Sequence, residues 1–456
     1  MSHLLWARIL MATSLGFHII FATFGVGMPL MIALAETAAL WRKDQLYARL
    51  AQRWTRGFVV LLAAGVVSGT IVAVQLTLLW PRFMELVGQI ISTPFLIEVF
   101  AFFLEAIFTA VYVYGGDRIS HKRRLAAALL VTLGAGASAI LITDVNAFMN
   151  TPAGFVPDGG RPMDVRPWEA VFNPSFPTMV FHVLVSAYMT VAFVLAAIAA
   201  KQLLGSPSAT AAAYHRKAMM LCLGVAGIMT VLTVIAGDLA GKHLAAHQPI
   251  KLAAAEGLFH TQTHAPLVIA GWPDPVSGQV IGGIQLLGWL SWLATGRFSG
   301  KVQGLLDFPV DQWPPLFVHW IFDAMVAVGV WGLLVAGAAA VAAGRERKGK
   351  GEFPPWLLWP VVSCGPLSVI GIELGWVFDE IGRQPWTVTG LLRTADAVTP
   401  TPGVPWIAAL FIALYAVLAW GTATVIRAYF RRHPVDFDDG GGGAPPRSVR
   451  EGAWLP

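Results

Sequence analysis

Apolar stretches of about twenty residues recur along the chain, parted by short segments rich in Lys and Arg. A helix rises ~1.5 Å per residue, so about twenty apolar residues cross the hydrocarbon core of a bilayer. Nine stretches reach that length: 9–37, 57–80, 94–114, 125–148, 178–200, 218–240, 316–343, 355–378 and 404–426. A shorter apolar piece, 280–293, contains Gly282, Gly283, Gln285 and Gly288. It is too short to cross, and the expectation is an interfacial segment or one buried under the surrounding loop. The pattern predicts an all-α polytopic membrane protein with nine transmembrane helices.

Basic residues then set the direction. Arg42, Lys43, Arg49, Arg53 and Arg56 follow the first stretch. Clusters also follow the third (Arg118, Lys122, Arg123, Arg124), the fifth (Lys201, Arg216, Lys217), the seventh (Arg345, Arg347, Lys348, Lys350) and the ninth (Arg427, Arg431, Arg432). The alternate short connections hold only Arg8, Arg82, Arg161, Arg166, Arg383 and Arg393. The positive-inside rule therefore places the N-terminus outside and the C-terminus in the cytoplasm. An odd number of spans agrees, and a crossing at 280–293 would reverse everything after it. The one long connection, about 241–315, is expected outside, and its length points to a functional role. Residues 1–432 read as one membrane-embedded core. Residues 433–456, with Asp-Asp-Gly-Gly-Gly-Gly and Pro-Pro, read as a disordered cytoplasmic tail.

Composition narrows the class further. Hydrophobic residues make up 56% of the 456 positions and charged ones only 12%, against roughly 25% charged in soluble proteins. That excludes a soluble globule. The net charge of +5 follows from the basic loops, so no nucleic-acid partner is expected. Cys222 and Cys364 lie in apolar runs and read as buried small hydrophobes. The first apolar run is too long for a signal-peptide core and has no basic segment before it, so it reads as a span.

Ionisable groups inside spans are costly and mark functional sites. Here they are His18, Glu98, Glu105, Asp144, His182, Asp323, Glu373, Asp379 and Glu380. On the orientation above, nearly all fall in the outer half, with Glu105 deeper. Glu98 and Glu105 are seven apart, on one helix face within ~20°, which suits a proton relay. His182 and Met325 come from different spans at similar depth and could supply a His/Met axial pair to a haem iron. Spacing alone favours the plainer reading, a hydrogen-bonded His and a packing Met. No Cys-x-x-Cys-His is present for covalent haem. Lys251 and Glu256 alone read as a surface pair. Asp144 reads as a helix-end residue binding the backbone of Thr151–Pro152, and Glu373 and Asp379 read equally as structural or functional.

Four motifs carry a more specific signal: Gly-Phe-His at 16–18, Phe-Phe-Leu-Glu at 102–105, Lys-Leu-Ala-Ala-Ala-Glu at 251–256, and Gly-Trp-Val-Phe-Asp-Glu-Ile-Gly-Arg-Gln-Pro-Trp at 375–386. In this order they resemble subunit I of cytochrome bd-type quinol oxidases, over roughly residues 1–430. The resemblance implies a bacterial cytoplasmic-membrane enzyme that oxidises quinol near the outer face and reduces dioxygen to water. Its protons would come from the cytoplasm without a pump. It also implies a low-spin haem b, a high-spin haem b, and a haem d or a further haem b in its place. His182 and Met325 resemble the axial ligands of the low-spin haem. His18 and Glu380 resemble ligands of the other two, in an order the motifs leave open. Glu98 resembles a carboxylate beside that pair, and Glu105 a proton-delivering one. Lys251 and Glu256 match quinol-loop residues, Trp376 a residue between haems, and Arg383 a partner of a haem propionate. The implied partners are a second membrane subunit and, in some relatives, a small single-span one. One departure stands out: Asp323 stands two residues before Met325, where the family often has Arg. The competing readings are a b-type cytochrome that only relays electrons and a proton-coupled transporter. The lack of an internal repeat and the off-centre polar residues weigh against the transporter.

Overall fold

The computed structural model describes residues 3–158, 161–399 and 403–435. Among them, nine helices are long and apolar enough to cross a membrane: His3–Arg42, Gln45–Leu79, Ser92–Gly115, His121–Asn150, Phe176–Leu204, Ala209–His247, Val318–Arg347, Pro355–Gly382 and Val404–Arg432. We call them spans one to nine. Each contains a stretch predicted from hydropathy, and most run on well past it. Span two begins at Gln45 instead of 57, and span six ends at His247 instead of 240. Hydropathy registers only the lipid-facing part of a helix. The backbone hydrogen bonds continue into the interface, where Arg49, Arg53 and Arg56 are solvated. Asp44, Ser120 and Ser208 stop spans two, four and six from unravelling, each side chain accepting from a backbone N–H of the first turn.

Three expectations need correction. The long connection starts at 248 rather than 241, because span six continues, and a short helix, Pro249–Ala255, follows at once. Segment 280–293 is buried only at its end, where Leu290 and Ser291 are 1% and 0% exposed, and its start forms paired strands. Gln279–Ile281 pairs with Trp272–Asp274, and Ile284–Leu286 pairs with Leu267–Ile269. Gly282 and Gly288, both with φ near +76°, break the path between these strands and the helix Trp289–Thr295. Ile281, Ile284 and Leu287 are exposed. Finally, Pro81–Ile90 forms a helix between spans two and three that hydropathy did not show. Its Pro sits at the first position, and Phe83, Val87 and Ile90 bury one face. The tail expected to be disordered lies, from 436 on, outside the described residues.

Spans one to four pack as one group and spans five to eight as another. Span one joins them through span five, and span nine lies against spans one and two. Without a hydrophobic force between helices in lipid, close packing at small residues holds such a bundle. A Cβ at Gly134 of span four would fall 2.7 Å from the backbone nitrogen of Glu105, and one at Gly27 would fall 2.4 Å from Val191. Both positions therefore require glycine.

The two ends of the bundle differ in kind. At one end the connections knit together: Thr389 N–H donates to Met149 (3.0 Å), Thr399 N–H to Leu79 (3.0 Å), and Arg393 pairs with Asp311 (2.7 Å). The other end is basic. Lys217 pairs with Asp44, Arg216 with Glu346, and Arg53 donates to the His433 carbonyl at 2.6 Å. Just inside it, buried Glu36 accepts from Arg124 at 2.5 Å and from the Tyr112 hydroxyl at 2.6 Å. Removing one member of such a buried pair costs about 3–5 kcal/mol.

Candidate functional site

Span five begins at Phe176 and span seven at Val318, at the knitted end. His182 and Met325 lie six and seven residues in, at nearly equal depths of ~9 and ~10 Å. Both spans pack on spans six and eight. His182 Nδ1 is buried with no hydrogen-bond partner. A Cβ at Gly237 of span six would stand 3.9 Å from its ring, and one at Gly375 of span eight 3.4 Å from Met325 Sδ. Each candidate axial residue thus has a glycine beside it on a neighbouring span.

His18 lies across from span two. Its Nδ1 is 3.0 Å from the Ser68 hydroxyl, which itself donates to the Gly65 carbonyl at 3.0 Å. Ser68 has one proton, and that proton is used on Gly65. The hydroxyl therefore accepts from His18 Nδ1–H, and Nε2 is left as the bare, metal-competent nitrogen. Gly69 stands beside the ring, and a Cβ there would come within 2.9 Å of it.

The end of span eight carries the densest polar cluster. Glu380 accepts from Asn146 at 2.7 Å and from Arg383 at 2.6 Å. Asp379 accepts from Lys251 at 2.6 Å and from Asn150 at 3.3 Å, with Arg383 at 3.8 Å. Lys251 also donates to Asn150 at 3.0 Å. Lys251 and Arg383 are 3% and 4% exposed. Neither is a surface residue, which corrects the plain reading of Lys251. Two cations and two carboxylates balance in a buried space. Burial lowers the basicity of Lys251, and Asp379 opposes that effect. Arg383 Nε and Nη1 remain buried without hydrogen bonds. Trp376 lies one turn earlier, half-buried.

Glu256, 5% exposed, closes the helix Pro249–Ala255. Burial, helped by the charge of Asp323, pushes its carboxyl up to about 8. Asp323 meets a histidine and a loop backbone. Its Oδ2 accepts from Ala270 N–H at 2.6 Å and lies 3.6 Å from His319 Nε2.

On span three, Glu98 accepts from Ser138 of span four at 2.7 Å. Glu105 is 6% exposed, and its Oε1 has no partner. Thr109, on the same face, is also buried with an unpaired hydroxyl. Asp144 bonds Asn173 at 3.1 Å, not the backbone of Thr151–Pro152. Span four continues for six more residues, ~9 Å of rise, and Thr151 N–H is taken by the Ala147 carbonyl at 3.0 Å, so that backbone is out of its reach. Glu373 keeps Oε1 buried and unpaired, and a Cβ at Gly16 would stand 3.3 Å from its Oε2.

These residues fit haems. Among the described residues no three His, Cys, Asp or Glu converge on a bare ion. One or two axial donors suffice for an iron already held by a macrocycle. His18 Nε2, His182, Met325 and Glu380 offer such donors, and the unused nitrogens of Arg383 suit an anionic carboxylate. Sequence reading missed Ser68, Ser138, Asn146, Asn150 and His319. Two of the pairs, Asn146/Asn150 and His319/Asp323, have the i, i+4 spacing that could have flagged them.

A family model described as cytochrome bd terminal oxidase subunit I matches residues 6–434. A Bacillus subtilis (strain 168) protein, provisionally named cytochrome bd menaquinol oxidase subunit I, is 47% identical over 96% of this chain and 99% of its own. A second protein of that organism, cytochrome bd ubiquinol oxidase subunit 1, is 31% identical over 93% of this chain and 91% of its own. The solved bd oxidase of Geobacillus thermodenitrificans superposes with a TM-score of 0.89 at 45% identity, covering 95% of this chain and 99% of that one. On the strength of the matched length and the identity, the chain belongs to the cytochrome bd terminal oxidase subunit I family and serves a membrane quinol oxidase.

Proposed function

We propose that this chain carries the three haems and both reaction sites of the oxidase, with the knitted end outside and the basic end in the cytoplasm. The observation that carries the proposal is the buried cluster at the end of span eight. It ties Lys251 of the long connection through Asp379 to Arg383 and Glu380. The quinol-side loop and a candidate haem ligand thus share one charge network. When bound, the haems supply the one-electron steps between quinol and dioxygen. His182 and Met325 would hold the electron-accepting haem, His18 and Glu380 the other two, and Arg383 a propionate. Trp376 would lie between haems. The relatives' names imply a second subunit, and the exposed Leu410, Val417 and Trp420 of span nine offer apolar surface to it or to lipid. An optical spectrum of the purified, reduced enzyme tests the reading. Haem b bands and a shift on adding carbon monoxide are expected; no bands, or no shift, would reject it.

Met325 gives a narrower test. Met325→Leu removes one axial donor with little change in volume. The low-spin haem b should become high spin, with quinol turnover falling at least about tenfold. A low-spin spectrum in Met325→Leu would assign the ligand elsewhere.

Quinol loses two protons as it loses two electrons, and Glu256 is placed to take one. The charged group that acts on Glu256 is Asp323. A carboxyl held near 8 carries its proton below that pH and is a base above it. Quinol-driven turnover is therefore expected to rise with pH between about 7 and 9. In Glu256→Gln it should be low and flat, while the dithionite-reduced enzyme still consumes oxygen at its normal rate. Equal damage to both half-reactions would make Glu256 a structural residue.

A further inference from the structure

The function above uses Asp323 only through its charge on Glu256, and its hydrogen bonds are not yet accounted for. His319 is fully buried, on the first turn of span seven. Its Nδ1 is 2.7 Å from the Ala255 carbonyl and its Nε2 is 3.1 Å from the Ala270 carbonyl. Carbonyls only accept, so the ring stands ready to donate to either of them and bridges the two segments. Asp323, one turn on, lies 3.6 Å from Nε2. The same Asp323 oxygen accepts from Ala270 N–H at 2.6 Å. Ala270 has φ +58°, a strained left-handed conformation for a residue with a Cβ, and both of its backbone polar groups are thereby fixed. Trp320 Nε1 takes the next carbonyl, Gly271, at 2.5 Å.

This clamp surrounds Glu256. Ala255, whose carbonyl His319 holds, precedes it. Gly257, which follows it at φ +61°, would place a Cβ 3.7 Å from His319 Nδ1. Met325 lies on the same helix, six residues or ~9 Å from His319. We propose that His319 and Asp323 form a positioning pair, which ties the Ala255 carbonyl, immediately before Glu256, to the Ala270 backbone and so holds the Glu256 carboxyl over the helix that bears Met325. The pair does not touch quinol. It acts through Glu256, and so the inference rests on the reading of Glu256 as a proton acceptor. In a chain with Arg at position 323 this clamp could not form in the same way, since an Arg cannot accept from Ala270 N–H. The Asp is therefore a different way of securing the loop, not a lost function.

The test is a double-mutant cycle in the assembled oxidase, with His319→Gln, Glu256→Gln and the double variant. His319→Gln keeps a polar side chain but cannot bridge both carbonyls in the ring's geometry. Its quinol-driven kcat should fall roughly tenfold, because small misplacements of a reacting group have large effects on rate. KM for quinol should stay within about twofold, since no quinol contact is lost. Haem content, the reduced spectrum and dithionite-driven oxygen consumption should not change. In the Glu256→Gln background the His319 substitution should have no further effect, because the group it positions is gone. Multiplying losses in the double variant, an unchanged His319→Gln enzyme, or a parallel fall in oxygen consumption would overturn the inference. Should His319→Gln fail to assemble, Asp323→Asn decides in the same cycle. Its amide oxygen still accepts from Ala270, but the charge facing His319 is removed. If Glu256→Gln alone turns over quinol normally, the reading of Glu256 fails as well, and that single variant shows it separately.

Discussion

His182→Ala should leave a folded, membrane-inserted protein that lacks the six-coordinate haem b signal and no longer oxidises quinol. Its Nδ1 is buried without a hydrogen-bond partner, and an unpaired buried polar group costs about 1–3 kcal/mol, which offsets part of the cost of the cavity that alanine leaves. What is lost is a donor to iron. Partners that merely orient a metal ligand cost about 10–100-fold when removed, so loss of the ligand itself should exceed that. The checks are the reduced-minus-oxidised spectrum and quinol-dependent oxygen consumption, measured on enzyme of known haem content. A wild-type spectrum in His182→Ala would sink the assignment outright.

Glu105→Gln is the second large effect. On the proposed orientation, Glu105 stands below Glu98 on the same face of span three. Seven residues at ~1.5 Å separate them by ~10 Å, too far for direct proton transfer, so water or another side chain must bridge the gap. Ser138 already holds Glu98 at 2.7 Å, whereas Glu105 Oε1 has no protein partner. If Glu105 relays protons drawn from the cytoplasm, an amide of the same shape stops the relay, because it has no proton to release. Oxygen consumption should fall by about 10²-fold or more, the scale of a lost acid–base group, while the haems still become reduced. Glu105→Leu should do the same. The alternative is a neutral Glu105 that only packs against span four, where Gly134 meets its backbone. On that reading glutamine is tolerated, and normal oxygen consumption at full haem content would establish it.

The nine spans, the basic end and the motif at 375–386 were legible in the sequence because each is a local property. A run of twenty apolar residues can satisfy its backbone in lipid only as a helix, whatever surrounds it. Basic residues between runs mark one face without any knowledge of packing. For the same reason the apolar content of 280–293 showed only part of its course: two left-handed glycines and strand partners between seven and nineteen residues earlier pair its start into strands before Leu290 is buried.

What only the tertiary structure decided is which polar groups meet. Lys251 and Glu256 are five apart in a loop, and nothing in that spacing says that both are buried. Lys251 reaches Asn150 across 101 positions and Asp379 across 128. Asp323 looked like a missing Arg until its partners, His319 and Ala270, were in view. Asp144 was assigned to a nearby backbone but bonds Asn173 instead. Periodicity places a side chain on a face of its own helix and at a depth in the membrane. The identity of the facing helix, the glycines that let it approach, and the charge that balances a buried ion come from chain segments far away. Those contacts turn a set of costly intramembrane polar residues into a site, because a buried charge is stable only beside the partner that the fold brings to it.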